Sequence, residues 1–301
     1  MTHVATLISS ASAAALDAEL LRSIQAALPA ADAPQWLAQG IAADVSFIAD
    51  AAADNKSFVE NLKAIVGRRP IDVVVQAAAS RRKKLLVADM DSTMIGQECI
   101  DELADFAGLK SRIAAITERA MRGEIAFEAA LRERVGLLKS LPASMIEQVI
   151  AERIRPNAGA QILVSTMRAQ GAHTCLVSGG FTAFTARVAA MIGFNEARAN
   201  TLLIDSEGRI AGVAEPILGR EAKRQALEDL RLRLKLEVGE TLAVGDGAND
   251  LAMLEAAGLG VAFHAKPVVA AAASARIDHA DLTALLYLQG YRREEFAAGQ
   301  P

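Results

Sequence analysis

Three short apolar runs, each ending in a polar or glycine-rich turn, most constrain what this chain can fold into. Residues 85–88 run into Asp89, residues 174–177 into Ser178, and residues 242–244 into Gly245. A fourth run, 260–263, follows a helical stretch ending near Gly258. Apolar strands alternating with helices predict an α/β fold with a parallel sheet covered on both faces. In such sheets ligands bind beyond the carboxyl ends of the strands. All three turns fall at those ends, so one edge of the sheet is where chemistry is expected.

Two segments interrupt the alternation. From about 96 to 155 the pattern holds no good strand but four helical stretches, at 99–107, 112–122, 127–138 and 143–154. This predicts a helical cap insert placed to cover the strand ends. Residues 200–205 and 209–214 flank Ser206-Glu207-Gly208, a hairpin signal. The first 80 residues read as short alternating elements: strand 3–9, helix 16–28, strand 44–48, helix 58–66 and strand 71–75. Leu16, Leu20, Ile24 and Leu28 carry the helical spacing there. The expected division is a small α/β domain over 1–80 and a larger one over 81–301.

Composition narrows the class. Of 301 residues 52% are hydrophobic, enough for a sizeable core, yet only 4% are aromatic, which suits small-residue helices packed on a sheet. The net charge of −4 and the absence of a basic stripe give no reason to expect a nucleic-acid partner. The Arg81-Arg82-Lys83-Lys84 cluster reads as a solvated strand entry or linker. No apolar run reaches the roughly 18 residues that cross a bilayer. Residues 4–16 are apolar but lack a basic start, so no secretory leader is expected. Cys99 and Cys175 have no metal-binding or paired spacing, as in a cytoplasmic protein with reduced thiols.

Four motifs carry chemistry. Asp89-Met90-Asp91-Ser92-Thr93 puts two carboxylates two residues apart in a turn, where they can converge on a cation or simply cap a helix. Gly245-Asp246-Gly247-Ala248-Asn249-Asp250 brings further acids to a strand end, where like charges repel unless a cation intervenes; Asn249 or Asp250 could equally be a helix cap. Oxygen-only ligands suit Mg²⁺ rather than zinc. Ser178-Gly179-Gly180 offers a hydroxyl and free N–H groups for an anion, though it is also an ordinary turn. Lys223 alone would read as a solvated helix lysine.

In this order the four motifs resemble the haloacid dehalogenase superfamily, over about residues 84–265. The closer resemblance is to its phosphoserine-hydrolysing members. Glu98, Ile100-Asp101-Glu102, Phe127-Glu128, Leu131, Arg134-Val135, the run from Leu176 to Phe181, and the run from Val244 to Asp250 carry it. The resemblance implies a Rossmann-like core with a mobile cap, and hydrolysis of phosphoserine at the end of serine biosynthesis. It implies Asp89 as nucleophile and Asp91 as acid/base. Mg²⁺ would be held by Asp89, Asp246 and the Asp91 main chain, with Asp250 in support. Ser178, Gly179, Lys223 and Asn249 would hold phosphate. Glu98 would take the substrate ammonium and Arg134 its carboxylate, with Met121 and Phe127 walling the pocket. Another small phosphomonoester such as phosphothreonine, or transfer to an alcohol such as homoserine, stays open. The first 80 residues are similar to the ACT type of amino-acid-sensing module, against an unrelated small α/β unit. A homodimer and an amino-acid effector at that unit are compatible with the sequence, which decides neither.

Overall fold

The computed structural model of the protein describes residues 1–50, 54–122 and 124–297. Its N-terminal part runs β1 (His3–Ser9), α1 (Ala18–Ala27), β2 (Gln35–Ala38), β3 (Ala42–Phe47), α2 (Asn55–Val66) and β4 (Ile71–Ala77). The strands form one antiparallel sheet in the order β2-β3-β1-β4. This is a split βαβ arrangement. Both helices start where an aspartate caps them: Asp17 accepts from Leu20 N and Asp54 from Lys56 N.

Because side chains alternate across a strand, the two faces of this sheet separate by parity. Odd-numbered Ala5, Leu7, Val45, Phe47, Val73 and Val75 pack with Leu20, Ile24 and Leu62 of the helices. Even-numbered Ile8, Ala42 and Val74 join the large cluster of the rest of the chain, together with Leu285 to Leu288 near the C-terminus. The even face also carries buried polar groups that dock on that C-terminal segment. Gln76 Nε2 donates to Leu288 O at 2.7 Å, and Asp72 accepts from the backbone N–H groups of Asp278, His279 and Ala280. Arg81 forks onto Asp44 (2.6 and 2.7 Å) and also donates to Leu288 O and Tyr287 O.

The second part is a six-stranded sheet, all parallel, in the order β12-β11-β10-β5-β6-β7. It runs from β5 (Leu85–Asp89) through α3 (Cys99–Phe106), α4 (Lys110–Met121), α5 (Phe127–Leu138), α6 (Ser144–Arg153) and α7 (Ala160–Ala169) to β6 (His173–Phe181). Then follow α8 (Thr182–Ile192), β7 (Glu196–Asn200), the hairpin of β8 (Leu202–Ile204) and β9 (Ile210–Val213), and α9 (Arg220–Arg233). The chain ends with β10 (Thr241–Gly245), α10 (Leu251–Ala256), β11 (Leu259–Phe263), α11 (Pro267–Ala272), β12 (Ala275–Ile277) and α12 (Ala284–Leu288). Strands leave β5 on one side as β6 and β7, and the other side is filled by β10 to β12. The order therefore reverses between β5 and β10, the position where open α/β sheets bind ligands.

Helices α3 to α6 rise from the strand ends as an insert. Its two connections meet where Ile95 pairs with Pro156. The hairpin β8–β9 docks on the insert through Ser140 N to Ile210 O and Ala143 N to Gly208 O. Among the described residues no helix is long and apolar enough to cross a membrane.

Two expectations change. The cluster at 81–84 is solvated only at Arg82 and Lys84: the Arg81 side chain is 16% exposed and Lys83 is buried, donating to Gly239 O at 2.6 Å. The interface between the two sheets recruits Arg81. Asn200 does not open the hairpin but ends β7, an edge strand too polar to register as an apolar run.

Arg81 and Asp44 are both largely withdrawn from water, so removing one strands the other. Arg81→Ala is expected to lower unfolding free energy in urea by about 3–5 kcal/mol. Adding Asp44→Ala should cost much less than the sum of the single effects.

Candidate active site

The site is built at the reversal of strand order. Asp89 is the last residue of β5, and the chain leaves it in a turn over Met90–Met94 closed by Ile95 N donating to Met90 O. Ser92 sits there in the left-handed region (φ 55°). Asp246 follows β10 directly, and Asp250 stands one turn on at the start of α10. Asp250 folds back so that its carboxylate accepts from Gly247 N (3.0 Å) and lies against Gly245. A Cβ at Gly245 would overlap that carboxylate, so only glycine allows the approach.

Asp89, Asp246 and Asp250 are all buried, and carboxylate oxygens of the three lie within 4.8 Å of one another. Lys223, buried in the first part of α9, reaches in and donates to Asp89 Oδ1 and to Asp250 Oδ1, the latter at 2.7 Å. Three carboxylates against one ammonium leave two net negative charges in a site shielded from water. Burial pushes the Asp89 carboxyl well above the usual carboxylate range, and the neighbouring Asp250 adds to this. Burial likewise raises Asp246, reinforced by Asp250. For Lys223, burial works against the charge, but Asp250 and Asp89 outweigh it and hold the amine above its ordinary value. An all-oxygen cluster with two uncompensated charges matches a hard divalent cation. The residues thus fit such an ion.

Asp91 points elsewhere. Its carboxylate accepts from Cys99 N (2.8 Å) and from Ser178 Oγ (3.1 Å), and Ser178 Oγ in turn accepts from Gly180 N (2.9 Å). The acid is therefore oriented by β6 and by the start of α3, apart from the three-carboxylate cluster.

Asp89, Asp91, Glu98, Arg134, Gly179, Asp246 and Asn249 line one cavity of about 160 Å³. Ile100, Phe127 and Leu131 supply its apolar wall, and Lys266 stands at its edge. Glu98 precedes α3 and accepts from Ser92 Oγ at 2.7 Å. Solvent reaches it, yet desolvation within the pocket and the charge of Asp91 push its carboxyl up to about 7. Arg134, half-buried on α5, is lowered from its ordinary value by burial, against the pull of Asp101 and Glu98. Its Nε makes a single long contact, 3.4 Å, to Ala130 O. Helix α5 lies over the strand ends: Phe127 packs on Gly179, Glu128 on Gly219, and Arg132 pairs with Glu215 at 2.7 Å.

The structure brings Asp89, Asp91, Glu98, Arg134, Gly179, Asp246 and Asn249 to one cavity, with Ser178 and Lys223 directly behind it. The Met121 side chain lies outside the described residues. Sequence reasoning gave Asp250 only a supporting part, whereas its carboxylate is a full member of the cluster. It passed over Ser92, Asn200 and Lys266; for Ser92 the signal was available, a polar residue inside the motif six positions before Glu98.

Residues 83–258 match the model of the haloacid dehalogenase-like hydrolase family. The chain belongs to that family. It is 43% identical over 231 residues to a phosphoserine phosphatase of Streptomyces coelicolor, covering 76% of this chain and 56% of that one. It is 45% identical over 212 residues to a phosphoserine phosphatase of Albidiferax ferrireducens, covering 68% of this chain and 89% of that one. The crystal structure of a HAD family hydrolase from Salmonella enterica superposes with a TM-score of 0.83 at 29% identity, covering 95% of this chain and 98% of that one. The chain thus spans little more than half the length of the Streptomyces relative.

A divalent cation that binds the folded cluster stabilises the fold by mass action. Protein stripped with a chelator and returned to magnesium at a hundredfold excess over Kd should gain about 2.7 kcal/mol, read as a rise in Tm. Asp246→Asn and Asp250→Asn should abolish the rise. Asp91→Asn should keep it, because that carboxylate faces Ser178 and Cys99 instead.

Proposed function

We propose that this protein is a magnesium-dependent phosphatase that hydrolyses O-phospho-L-serine to L-serine and phosphate, the closing step of serine biosynthesis. The observation that carries the reading is one small cavity lined both by Asp89 and Asp246 of the buried carboxylate cluster and by Glu98 and Arg134. Membership in the hydrolase family and two relatives bearing that enzyme name support it. The same reading takes residues 1–80 and 81–301 as two domains, with residues 96–155 as the cap. The helix-packed apolar cluster confined to the first part of the chain supports this division.

Asp89, Asp246 and Asp250 are the side chains placed to hold the ion, with the Asp91 main chain as a further oxygen. Once bound, magnesium offsets the repulsion between a carboxylate and a phosphate dianion, several kcal/mol at about 4 Å in an intermediate dielectric. Asp89 attacks phosphorus through a carboxylate oxygen, and the bond from phosphorus to the serine oxygen breaks. Asp91 gives its proton to the departing serine oxygen. It then takes a proton from the water that attacks the aspartyl-phosphate, which frees Asp89 and releases phosphate. Lys223, Ser178, the Gly179 N–H and Asn249 receive phosphoryl oxygens as charge shifts among them.

Glu98 and Arg134 select the amino acid. A carboxylate attracts the substrate ammonium, and a guanidinium can grip its carboxylate through two parallel hydrogen bonds. Helix α5 carries Arg134 and Phe127, so seating of the substrate and covering of the phosphoryl group occur on one element. Closing the cap would exclude water during transfer.

The direct test is phosphate release from phosphoserine with magnesium and with a chelator. Activity should require the metal, and Asp89→Asn should lower kcat by roughly 10⁴-fold or more. Equal kcat/KM for phosphoserine and a sugar phosphate would defeat the assignment of Glu98 and Arg134. A pH signature follows from Glu98, whose carboxyl is raised to about 7. Below that pH it becomes neutral and loses its hold on the ammonium. The ratio of kcat/KM for phosphoserine to that for p-nitrophenyl phosphate should therefore fall by up to about tenfold per pH unit below 7. In Glu98→Gln the ratio should be low and flat.

A further inference from the structure

We infer that Asn200 is a positioning residue that sets the geometry of both halves of the phosphate cradle at once. The inference rests on the phosphatase reading of the site and adds a residue outside its motifs. Asn200 ends β7, is buried at 3% exposure, and touches neither the cavity nor the carboxylate cluster. Its carboxamide is nonetheless fully used. Nδ2 donates to Gly179 O at 2.9 Å and to Leu218 O at 3.3 Å, and Oδ1 accepts from Leu218 N at 2.6 Å.

Each partner leads into the site. Pairing of β6 with β7 shifts register between Val177 and Phe181, where Ser178, Gly179 and Gly180 bow away from the ladder. Asn200, opposite Phe181, replaces the missing ladder bond with its side chain. The peptide joining Gly179 to Gly180 is then pinned at both ends: its carbonyl by Asn200, its N–H by Ser178 Oγ. Ser178 Oγ is the group that donates to Asp91. On the other side, Leu218 precedes Gly219, the residue that caps α9, and Lys223 projects from that helix to Asp89. One carboxamide thus ties the loop that orients the acid to the helix that delivers the lysine.

Only a side chain that both donates and accepts can make this bridge. Aspartate at 200 keeps the acceptor for Leu218 N but, when ionised, sets a charge against two carbonyl oxygens. When protonated it regains a donor. Buried beside carbonyls, that carboxyl should titrate above the usual carboxylate range. The pH dependence of the variant therefore reports the bridge, which a purely structural role would not do.

The experiment compares wild type, Asn200→Asp and Asn200→Leu, with the folded fraction of each counted by circular dichroism. At about pH 8, Asn200→Asp should lose about 100-fold in kcat, the scale of an ångström-level misplacement, with KM changed much less. The deficit relative to wild type should shrink as pH falls towards about 5.5. Asn200→Leu should stay low throughout. Kinetics of Asn200→Asp within about twofold of wild type at every pH, or equal and pH-independent losses in both folded variants, would overturn the inference. The series is repeated with p-nitrophenyl phosphate. Wild type inert towards phosphoserine but active on the aryl phosphate refutes the serine reading and leaves the Asn200 comparison intact. If wild type turns over neither, calorimetric binding of inorganic phosphate with magnesium provides the same comparison: affinity weakened in Asn200→Asp and regained at low pH supports the bridge, and unchanged affinity ends it.

Discussion

The buried ammonium of Lys223 between Asp89 and Asp250 is the contact on which the site depends. Carboxylates gathered at a strand end would repel one another and draw in water, and each costs several kcal/mol to bury unpaired. Lys223 compensates one charge and leaves two for a divalent ion. Much of the local architecture follows from this balance. Gly245 must lack a side chain so that Asp250 can turn back, α9 must start where Lys223 reaches β5, and β5 must lie beside β10. The reversal of strand order supplies the last condition, because it sets the ends of two sheet-central strands side by side with open space beyond them.

The legible parts of the sequence were those where one physical pattern dominates. The apolar runs of β5, β6, β10 and β11 are buried on both faces and read directly, as did the four cap helices. Less of the polar structure could be read. Edge strand β7 reads Glu-Ala-Arg-Ala-Asn and is held by Arg198 and Arg233 on Glu196, so it offers no hydrophobic period. Strand β2 is only four residues long. The even face of the N-terminal sheet buries Thr6, Asp44, Asp72 and Gln76, residues whose types ordinarily signal exposure. The partners of Asp72 and Gln76 lie some 200 positions away, as with Asp72 and Ala280. Asn200 read only as the start of a hairpin strand, because its side chain bonds backbone groups of Gly179 and Leu218 that no pattern in its neighbourhood announces. At the site the motifs identified the chemical groups, but which oxygens face one another is a matter of fold. That is why the weight of Asp250 and the turning of Asp91 towards Ser178 emerged only in three dimensions.

The pocket is lined by two distinct parts of the chain. Asp89 and Asp246 stand at the ends of paired strands of the parallel sheet. Glu98 and Arg134 belong to the segment between Ile95 and Pro156, which also meets the rest of the chain at the β8–β9 hairpin and through the Arg187–Glu147 pair. Ser92 crosses this division. It belongs to the turn after Asp89, adopts left-handed backbone, and holds Glu98, the residue before α3. Glu98 is thereby tied to the turn that follows Asp89, whereas Arg134 is carried on α5.

The N-terminal unit bears on the same geometry through its polar face. An apolar interface tolerates sliding, whereas Asp72 accepting three successive backbone N–H groups admits one register. Those N–H groups belong to residues 278–280, directly after β12, and β12 is paired with β11. Between these two strands lies Lys266, whose backbone N–H donates to Asp246 O at 3.2 Å and which stands at the pocket edge. Arg81 fixes the other end of the interface, immediately before the strand that ends in Asp89. The N-terminal sheet therefore grips the main sheet both directly after β12 and just ahead of β5.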